Sequence, residues 1–219
     1  MKLLELNHVE KSFGDLKVLK DISMSVEDGE IVSIIGPSGS GKSTLLRCAT
    51  MLETMDRGEV VYLGKKAVWG NDSGSIQYAS PAELKEIRSQ YGLVFQNFNL
   101  FPHFSVMKNI TDAPIHVQKR NKEEAYSEAR ELLKKMGLED KEDAYPYQLS
   151  GGQCQRVAIA RALALKPRIL FFDEPTSAMD ESGKKQFLQL IDQIKNHKII
   201  IIVSHDNAIL NTCDEILIL

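Results

Sequence analysis

The sequence predicts an α/β protein built on a mainly parallel sheet. Compact apolar runs suited to buried strands occur at Ile31–Ile35, Ile169–Asp173 and Ile199–Ser204, with helical or loop segments between them. Because strands that alternate with helices pair in parallel and are covered on both faces, these runs belong together in one sheet. The length of 219 residues suits one globular unit with an inserted lobe.

The first part of the chain is rich in strand patterns. Leu3–Val9 and Ile22–Val26 have strand character and flank a loop around Phe13–Asp15. Ile31–Ile35 leads through a Gly/Ser loop into a helix, and Gly58–Gly64 is a further expected strand bounded by glycines. We therefore expect several strands before the first long helical region.

The stretch that follows contains a turn, a helix start and a strand. Asn71–Ser80 is polar and is expected to form a loop. Its last serine and the following Pro81 are the residue types of an N-cap and a first helical turn, which predicts a helix there. Gly92–Phe95 is again expected to form a strand.

Between Asn97 and Pro167 the sequence becomes helical in character. Lys122–Met136 repeats apolar residues at the helical period and ends at Gly137, a residue type that commonly ends helices. Gln153–Leu165 is a second expected helix, which Pro167 brings to an end. The pattern predicts a helical insert in the α/β core.

After the insert, strands and helices alternate to the end of the sequence. The expected elements are Ile169–Asp173, Lys184–Lys195, Ile199–Ser204, Asn207–Thr212 and Glu215–Leu219. Because the sequence ends at Leu219 inside an apolar run, we expect no regulatory C-terminal domain and a last strand that forms a bare edge of the sheet.

Composition and charge argue against several classes of protein. The net charge of −3 does not favour broad binding to nucleic acid. No apolar run is long enough to cross a bilayer, and the first residues lack the core of a signal peptide, so the chain is expected to stay in the cytoplasm. Cys48, Cys154 and Cys213 are odd in number and form no CxxC pair, so neither a zinc site nor a disulfide framework is expected.

A glycine-rich loop follows the Ile31–Ile35 strand. Its motif, G-x-x-x-x-G-K-[ST], is formed by Gly36, Pro37, Ser38, Gly39, Ser40, Gly41, Lys42 and Ser43. In such a loop the backbone N–H groups converge on phosphate oxygens, and the next helix adds its positive end. Lys42 is expected to reach the β- and γ-phosphates, Ser43 to bind Mg²⁺, and Thr44 to belong to the same nucleotide site. The alternative, a chance glycine-rich turn, does not explain a loop that joins a strand to a helix.

Two acidic residues, Asp173 and Glu174, stand at the carboxyl end of the expected strand Ile169–Asp173. Ligands bind at this edge of the sheet in α/β proteins. Asp173 is expected to hold Mg²⁺, and Glu174 is placed to polarise an attacking water. The alternative is a surface turn that happens to be acidic, and the presence of a phosphate loop in the same sequence argues against it.

The segment Leu149–Gln153, which we call the signature segment, is the most diagnostic motif. Ser150 has the residue type of a helix cap, while Gly151 and Gly152 permit close approach of the backbone to an anion. With Gln153 they predict a second phosphate-binding helix start. An ordinary serine cap with flexible glycines is the alternative.

With these motifs in this order, the chain resembles the nucleotide-binding subunits of ABC transporters over essentially its whole length. The resemblance implies a P-loop NTPase (RecA-like) core with a mainly parallel sheet, an N-terminal antiparallel β subdomain and an inserted α-helical subdomain. It implies one ABC ATPase domain over residues 1–219, in which 1–96 and 166–219 form the α/β core with the β subdomain and 97–165 form the helical signature subdomain. ATP and Mg²⁺ are the implied cofactors.

The resemblance also implies roles for residues that are uninformative on their own. Phe13 would stack on adenine, although a phenylalanine of the hydrophobic core is an equal alternative from sequence alone. Gln96 would touch Mg²⁺ and water, His205 would contact the γ-phosphate, and Asp180 would communicate across a dimer. Cys154 stands where the family has a polar residue, and could make the signature helix sensitive to thiol reagents.

The family assembles head to tail, so that the signature segment of one subunit closes over the nucleotide of the other. The implied partners are a second copy of the chain, transmembrane permease subunits and a separate solute-binding protein, with no nucleic acid. The implied location is the cytoplasmic face of the cell membrane. Phe98, Phe101 and Phe104 either receive a helix of the permease or form the hydrophobic centre of the insert.

The transported substrate rests on likeness alone. Gln96–His103, Asn109–Pro114 and Tyr145–Pro167 look like the corresponding segments of bacterial polar amino acid importers. Within the family, a lipid or lipoprotein exporter is an alternative. A soluble ABC ATPase would normally have a long coiled coil or tandem cassettes, which this sequence lacks, and a P-loop kinase would lack the signature segment.

Overall fold

Two five-stranded sheets form the framework of the computed structural model, which describes residues 2–70, 74–195 and 198–219. The first sheet is antiparallel, in the order β2-β1-β4-β5-β6. Its strands are β1 (Lys2–Phe13), β2 (Leu16–Glu27), β4 (Arg57–Tyr62), β5 (Lys65–Gly70) and β6 (Ile76–Tyr78). This sheet is the N-terminal antiparallel β subdomain that the family resemblance implies.

The second sheet is parallel and has the order β10-β3-β9-β8-β7. Its strands are β3 (Ile31–Ile35), β7 (Tyr91–Val94), β8 (Ile169–Asp173), β9 (Ile199–Val203) and β10 (Glu215–Ile218). Strands β3, β8 and β9 are almost entirely buried, as continuous apolar runs of a covered parallel sheet should be. The α/β fold with a parallel sheet is confirmed.

Seven α-helices occur in the described ranges. They are α1 (Lys42–Ala49), α2 (Pro81–Arg88), α3 (Val106–His116), α4 (Lys122–Lys135), α5 (Gly151–Ala164), α6 (Glu181–Ile194) and α7 (Asn207–Leu210). Helix α2 begins with the expected serine cap: the Ser80 hydroxyl accepts a hydrogen bond from the Glu83 N–H, and the Glu83 carboxylate accepts one from the Ser80 N–H. Helix α4 ends, as predicted, before Gly137, which adopts a φ of +61°.

Some sequence predictions need correction, and one strand was not predicted. Asn71–Ser80 is not all loop, since β6 lies within it; its first three residues, 71–73, lie outside the described residues. Strand β5 had no prediction, because only two of its six residues are buried and its pattern is weak. Helix α5 begins at Gly151 rather than Gln153, because Ser150 is the residue that caps it.

The parallel sheet divides the hydrophobic core into two clusters. Leu170 and Phe172 of β8 belong to the cluster formed with helices α3, α4 and α5, whereas Ile169 and Phe171 belong to the cluster beneath the antiparallel sheet. Neighbouring residues of a strand point to opposite faces, so β3, β8 and β9 each contribute residues to both clusters. The helical insert and the β subdomain therefore pack on opposite faces of one sheet.

Strand β10 lies at the edge of the parallel sheet, and within the described residues no other strand pairs with its outer side. Ile216 and Ile218 are 44% and 72% exposed. The prediction that the last strand lies at an edge of the sheet is confirmed for the described residues. Separately, none of the helices in the described ranges is long and apolar enough to cross a membrane.

Candidate nucleotide site

The register of the parallel sheet brings the predicted site residues to one edge. Val203 of β9 is opposite both Ile34 of β3 and Asp173 of β8. The phosphate loop follows β3, Glu174 follows β8, and His205 stands two residues beyond the end of β9. Three segments that are far apart in sequence therefore meet at the carboxyl edge, where α/β sheets bind ligands.

The phosphate loop is held by its own lysine. The buried Lys42 ammonium donates hydrogen bonds to the carbonyls of Gly36 and Pro37, at 2.8 and 2.9 Å. Helix α1 has no side-chain cap, so its first N–H groups remain available to an anion. The N-cap residue Gly41 has a φ of +100°, and a Cβ there would lie 2.8 Å from the Val18 side chain. Only glycine fits this position, which brings the backbone close to the space a phosphate would occupy.

The two expected Mg²⁺ ligands are adjacent. The Ser43 hydroxyl donates a hydrogen bond of 3.0 Å to the Asp173 carboxylate. Burial raises the pKa of Asp173, while the Ser43 hydrogen bond and the charges of Arg47 and Lys42 oppose that rise. Mg²⁺ is usually held by one or two protein oxygens together with phosphates and waters, so one hydroxyl and one carboxylate suit it. No cluster of three or more His, Cys, Asp or Glu side chains suited to a metal occurs within the described residues.

Glu174 sits in a constrained position beside His205. Its φ is +50°, a region that L-residues seldom adopt, and its N–H donates to the Val203 carbonyl at 2.9 Å. Its own carbonyl accepts a hydrogen bond from the Ser177 hydroxyl. Burial raises the pKa of the Glu174 carboxyl, and the neighbouring His205 opposes this. The His205 Nε2 lies 3.6 Å from the Glu174 Oε1.

A cavity of about 560 Å³ lies at this edge of the sheet. Its lining includes Phe13, Gln96, Glu174, His205 and the loop residues Ser38, Gly39, Gly41, Lys42, Ser43 and Thr44. Phe13 is the last residue of β1 and is 48% exposed, so it is not the core phenylalanine of the alternative interpretation. The structure thus gathers an aromatic ring, a phosphate loop and an acid around one space.

The signature segment and Asp180 do not line this cavity. Ser150 is exposed and caps α5: its hydroxyl accepts from the Gln153 N–H, and the Gln153 side chain accepts from the Ser150 N–H. Gly151 and Gly152 form the first turn of α5. Asp180 caps α6 by accepting a hydrogen bond of 2.8 Å from the Gly183 N–H, and its expected part in a dimer stays a prediction.

Several residues of the site were not expected from the sequence. Val18 and Val203 line the cavity, and Lys11 lies with its ammonium 4.8 Å from the centre of the Phe13 ring. The two valines sit in ordinary strand patterns and carry no signal of their own. Lys11 could have been found by the two-residue spacing that puts it on the same face of β1 as Phe13.

The aromatic residues of the insert differ in burial, and contact of any of them with a permease stays a prediction. Phe98 packs against the helical core cluster, whereas Phe101 is 47% exposed. Cys154 is buried, and burial raises the pKa of its thiol. Because the thiolate is the reactive form, this environment argues against the thiol sensitivity expected of the signature helix.

Comparison with known proteins identifies the family. The ABC transporter family model matches residues 19–177. The L-cystine import ATP-binding protein TcyC of Bacillus subtilis is 45% identical over 208 residues, covering 93% of this chain and 81% of that protein. The glutamine transport ATP-binding protein GlnQ of Geobacillus stearothermophilus is 45% identical over 205 residues, with the same coverage.

Solved structures agree with this assignment. A dimeric ATP-binding cassette in a post-hydrolysis state, bound to ADP and Pi, superposes with a TM-score of 0.87 at 36% identity, covering 99% of this chain and 94% of that chain. The match spans both the parallel sheet with its phosphate loop and the helices that carry the signature segment. The chain therefore belongs to the ABC transporter family, as an ATP-binding and ATP-hydrolysing subunit that is similar to those of amino acid importers.

Proposed function

We propose that two copies of this chain hydrolyse ATP with Mg²⁺ at composite sites and thereby drive a membrane permease that imports polar amino acids. One observation carries the proposal: the cavity with the phosphate loop and the exposed signature segment are separate surfaces of one chain. Each is one half of an anion site, and a second copy can supply the missing half to each.

Within one site, each residue would have the role that its chemistry suits. Lys42 and the N–H groups at the start of α1 would hold the phosphates, and the Phe13 ring would stack on adenine. Ser43, Asp173 and Gln96 would hold Mg²⁺, which neutralises phosphate charge when bound. Glu174 would accept a proton from the attacking water, while His205 would contact the γ-phosphate.

The dimer supplies the groups that one chain lacks. In a two-fold arrangement the Ser150–Gln153 segment of each copy faces the phosphate loop of the other, so that one axis creates two equal sites. Asp180, at the start of α6, would lie at the same interface. The dimeric assembly of the similar cassette bound to ADP and Pi supports this arrangement.

A groove of about 680 Å³ is our proposed docking surface for the permease. Its lining includes Ala113, Val117 and Leu165, and Val117 is 67% exposed. Four cationic side chains also line it: Lys85, Arg88, Arg120 and Lys166. Arg120 and Lys166 are already paired with Glu128, so the complementarity to acidic side chains of a permease segment rests on Lys85 and Arg88. The apolar face of that segment would cover the apolar lining of the groove. Through the permease, the subunit would work on the cytoplasmic face of the membrane.

We also propose that the chain is one ABC ATPase domain over 1–219, in which 97–165 form the helical subdomain. The mutual packing of α3, α4 and α5 supports this division. The amino acid substrate is supported by the relatives that import cystine and glutamine and by an octopine permease ATP-binding protein of Agrobacterium tumefaciens, 43% identical over 207 residues. A separate solute-binding protein would deliver the substrate.

Mixing two inactive subunits tests the composite site. A Lys42→Ala chain lacks the phosphate lysine, and a Ser150→Arg chain has a bulky cation in the signature segment. Each variant alone has no intact site, whereas a mixed dimer has one intact and one doubly altered site. We expect mixing to restore measurable ATPase activity. A mixture that is as inactive as its components, although heterodimers are detected, would contradict the sandwich.

The substrate is tested separately, in cells. Deleting the gene should abolish uptake of a polar amino acid, and the Lys42→Ala gene should fail to restore it while the wild-type gene succeeds. Unchanged uptake of cystine, glutamine and arginine in the deletion strain, with no redundant importer present, would refute the amino acid assignment. It would leave the ATPase site standing.

A further inference from the structure

Phe13 is the outermost residue of the proposed site. It ends β1 at a two-residue turn formed by Gly14 and Asp15, and nearly half of it is exposed. A half-exposed ring at the end of a hairpin loses rotational freedom when it packs against a base, and this loss weakens binding. Whatever restrains the ring before ATP arrives therefore strengthens binding of the base.

Lys11 provides such a restraint. It is only 8% exposed, and its ammonium lies 4.8 Å from the centre of the Phe13 ring. A cation at this distance from an aromatic ring is attracted to it, more strongly when water is excluded. The cation occupies one side of the ring, and the ring itself borders the cavity. This leaves the other side of the ring to a base.

The position of the ammonium is itself fixed. The Lys11 Nζ donates to the Thr54 carbonyl at 2.6 Å and pairs with a Glu53 carboxylate oxygen at 2.8 Å, with an Asp56 oxygen at 3.9 Å. The hydrogen bond to Glu53 is the main reason that the pKa of Lys11 is raised despite burial. The ammonium is therefore held by residues 53–56, which follow α1, and its position does not depend on the Phe13 ring.

The Asp56 carboxylate also holds the backbone of the same hairpin. One of its oxygens accepts a 2.6 Å hydrogen bond from the N–H of Ser12, the residue between Lys11 and Phe13. Residues 53–56 thus hold the β1 backbone and the lysine together. A buried charge is costly unless its partners compensate, and here the partners are complete enough to keep it in place.

We infer that Lys11 is a positioning residue for adenine: it presets the Phe13 ring so that the base can stack on it, without touching the nucleotide itself. The inference rests on the proposed role of Phe13. It predicts a defect confined to the base, since the phosphates bind to Lys42 and the loop, which Lys11 does not contact.

The test compares ATP with inorganic tripolyphosphate as probes of the full chain, measured by calorimetry. Lys11→Met keeps the stem and removes the charge, and should raise the Kd for ATP roughly three- to tenfold, the range expected for a lost cation–π contact. The Kd for tripolyphosphate should not change. Lys11→Arg should bind ATP within about twofold of wild type, because the guanidinium also attracts an aromatic face.

Lys17→Met is the matched control. Lys17 lies on β2 of the same hairpin and pairs with Glu10 at 3.4 Å, with its side chain exposed. This variant should leave both Kd values unchanged. Thermal unfolding establishes that each variant is folded, and Lys11→Gln, which retains a donor for the Thr54 carbonyl, replaces Lys11→Met if the latter does not fold.

A double-mutant cycle with Phe13→Ala separates positioning from a general structural role. If Lys11 acts through the ring, Lys11→Met should have no further effect on ATP binding once the ring is gone. An equal effect in both backgrounds, or weaker tripolyphosphate binding, would overturn the inference. So would unchanged ATP binding by Lys11→Met beside a clear defect in Phe13→Ala. If Phe13→Ala itself binds ATP normally, the adenine role of Phe13 fails, and the inference fails with it.

Discussion

Glu174 combines a rare backbone conformation with a partly buried carboxylate. Its left-handed φ of +50° is held by the hydrogen bonds of its N–H and its carbonyl, which aim the side chain beside His205 and into the cavity. Strain of this kind persists where the surrounding structure over-determines it, often at sites of chemistry. The conformation gives the side chain a fixed direction before any nucleotide binds.

The Glu174→Gln variant should separate binding from chemistry. The amide has the same shape but cannot accept a proton, so we expect ATP affinity within a few-fold of wild type and turnover reduced about 100-fold or more. Lys42→Ala is the comparison, since loss of the phosphate cation should abolish binding first. Steady-state hydrolysis and equilibrium binding measure the two effects. Turnover close to wild type in Glu174→Gln would remove this residue from the role of base.

The three cysteines should be slow to react in the folded protein. Burial raises the pKa of Cys48 to about 12, and it also raises the pKa values of Cys154 and Cys213. Since a raised pKa lowers the thiolate fraction at pH 7, alkylation by iodoacetamide should be much slower than in urea, where all three react. Cys213, the most exposed, should react first. Fast labelling of Cys154 in the native chain would contradict its burial.

At the level of elements, hydrogen bonds from the side chains of Arg161 and Asn109 hold the loop between β7 and α3. The Arg161 guanidinium of α5 donates to the carbonyls of Asn99 and Phe98, at 2.7 and 3.0 Å, and both residues have positive φ values. The buried Asn109 accepts from the Phe101 N–H and donates to the Phe101 carbonyl. The loop that follows Gln96 is therefore fastened to the helix that carries the signature segment.

Removing the Arg161 clamp should release that loop. Arg161→Met leaves two carbonyls unpaired and should destabilise the protein by about 1.5–3 kcal/mol, the range for hydrogen bonds to a charged group. Arg130→Met is the matched control, because Arg130 forms an exposed ion pair with Glu142 and should cost less than about 1 kcal/mol. Urea unfolding measures both. Equal losses in the two variants would show that the clamp adds no stability.

The sequence predicted elements well where burial is continuous and poorly where it is not. Strands β3, β8 and β9 are mostly apolar and almost entirely buried, so their extents could be predicted to within a residue. Strand β6 has only three residues, none of them buried, and its pairing with β5 depends on tertiary contacts that leave no periodic pattern. Ser150 was recognised as a cap, but the start of α5 was misplaced because glycines favour loops.

The same contrast applies to the site. The phosphate loop and the Asp173–Glu174 pair are contiguous motifs, so the sequence alone placed them correctly at the sheet edge. Lys11 bonds to Thr54, 43 positions away, and Arg161 to Asn99, 62 positions away, and such contacts follow only from the folded chain. Local motifs in the sequence predict the function, whereas the side chains that hold those motifs in place cannot be predicted from the sequence.

For the whole molecule, the separation of the cavity from the signature segment predicts ATP-dependent association. Glu174→Gln retains ATP and should therefore sediment as a dimer with ATP present and as a monomer without nucleotide. Adding Ser150→Arg to this variant should abolish the dimer while leaving the cavity intact. A Glu174→Gln chain that remains monomeric at high protein and ATP concentrations would refute assembly of the isolated subunit.

The parallel sheet that separates the two core clusters has a consequence for local opening. Residues of β8 and β9 contribute alternately to both clusters. Their amide groups therefore become accessible to solvent only when both the helical insert and the β subdomain have separated from the parallel sheet. Exchange of these amide protons with deuterium should therefore be the slowest in the chain and should report its global unfolding. The amides of β10, paired on one side only, should exchange through local fraying long before.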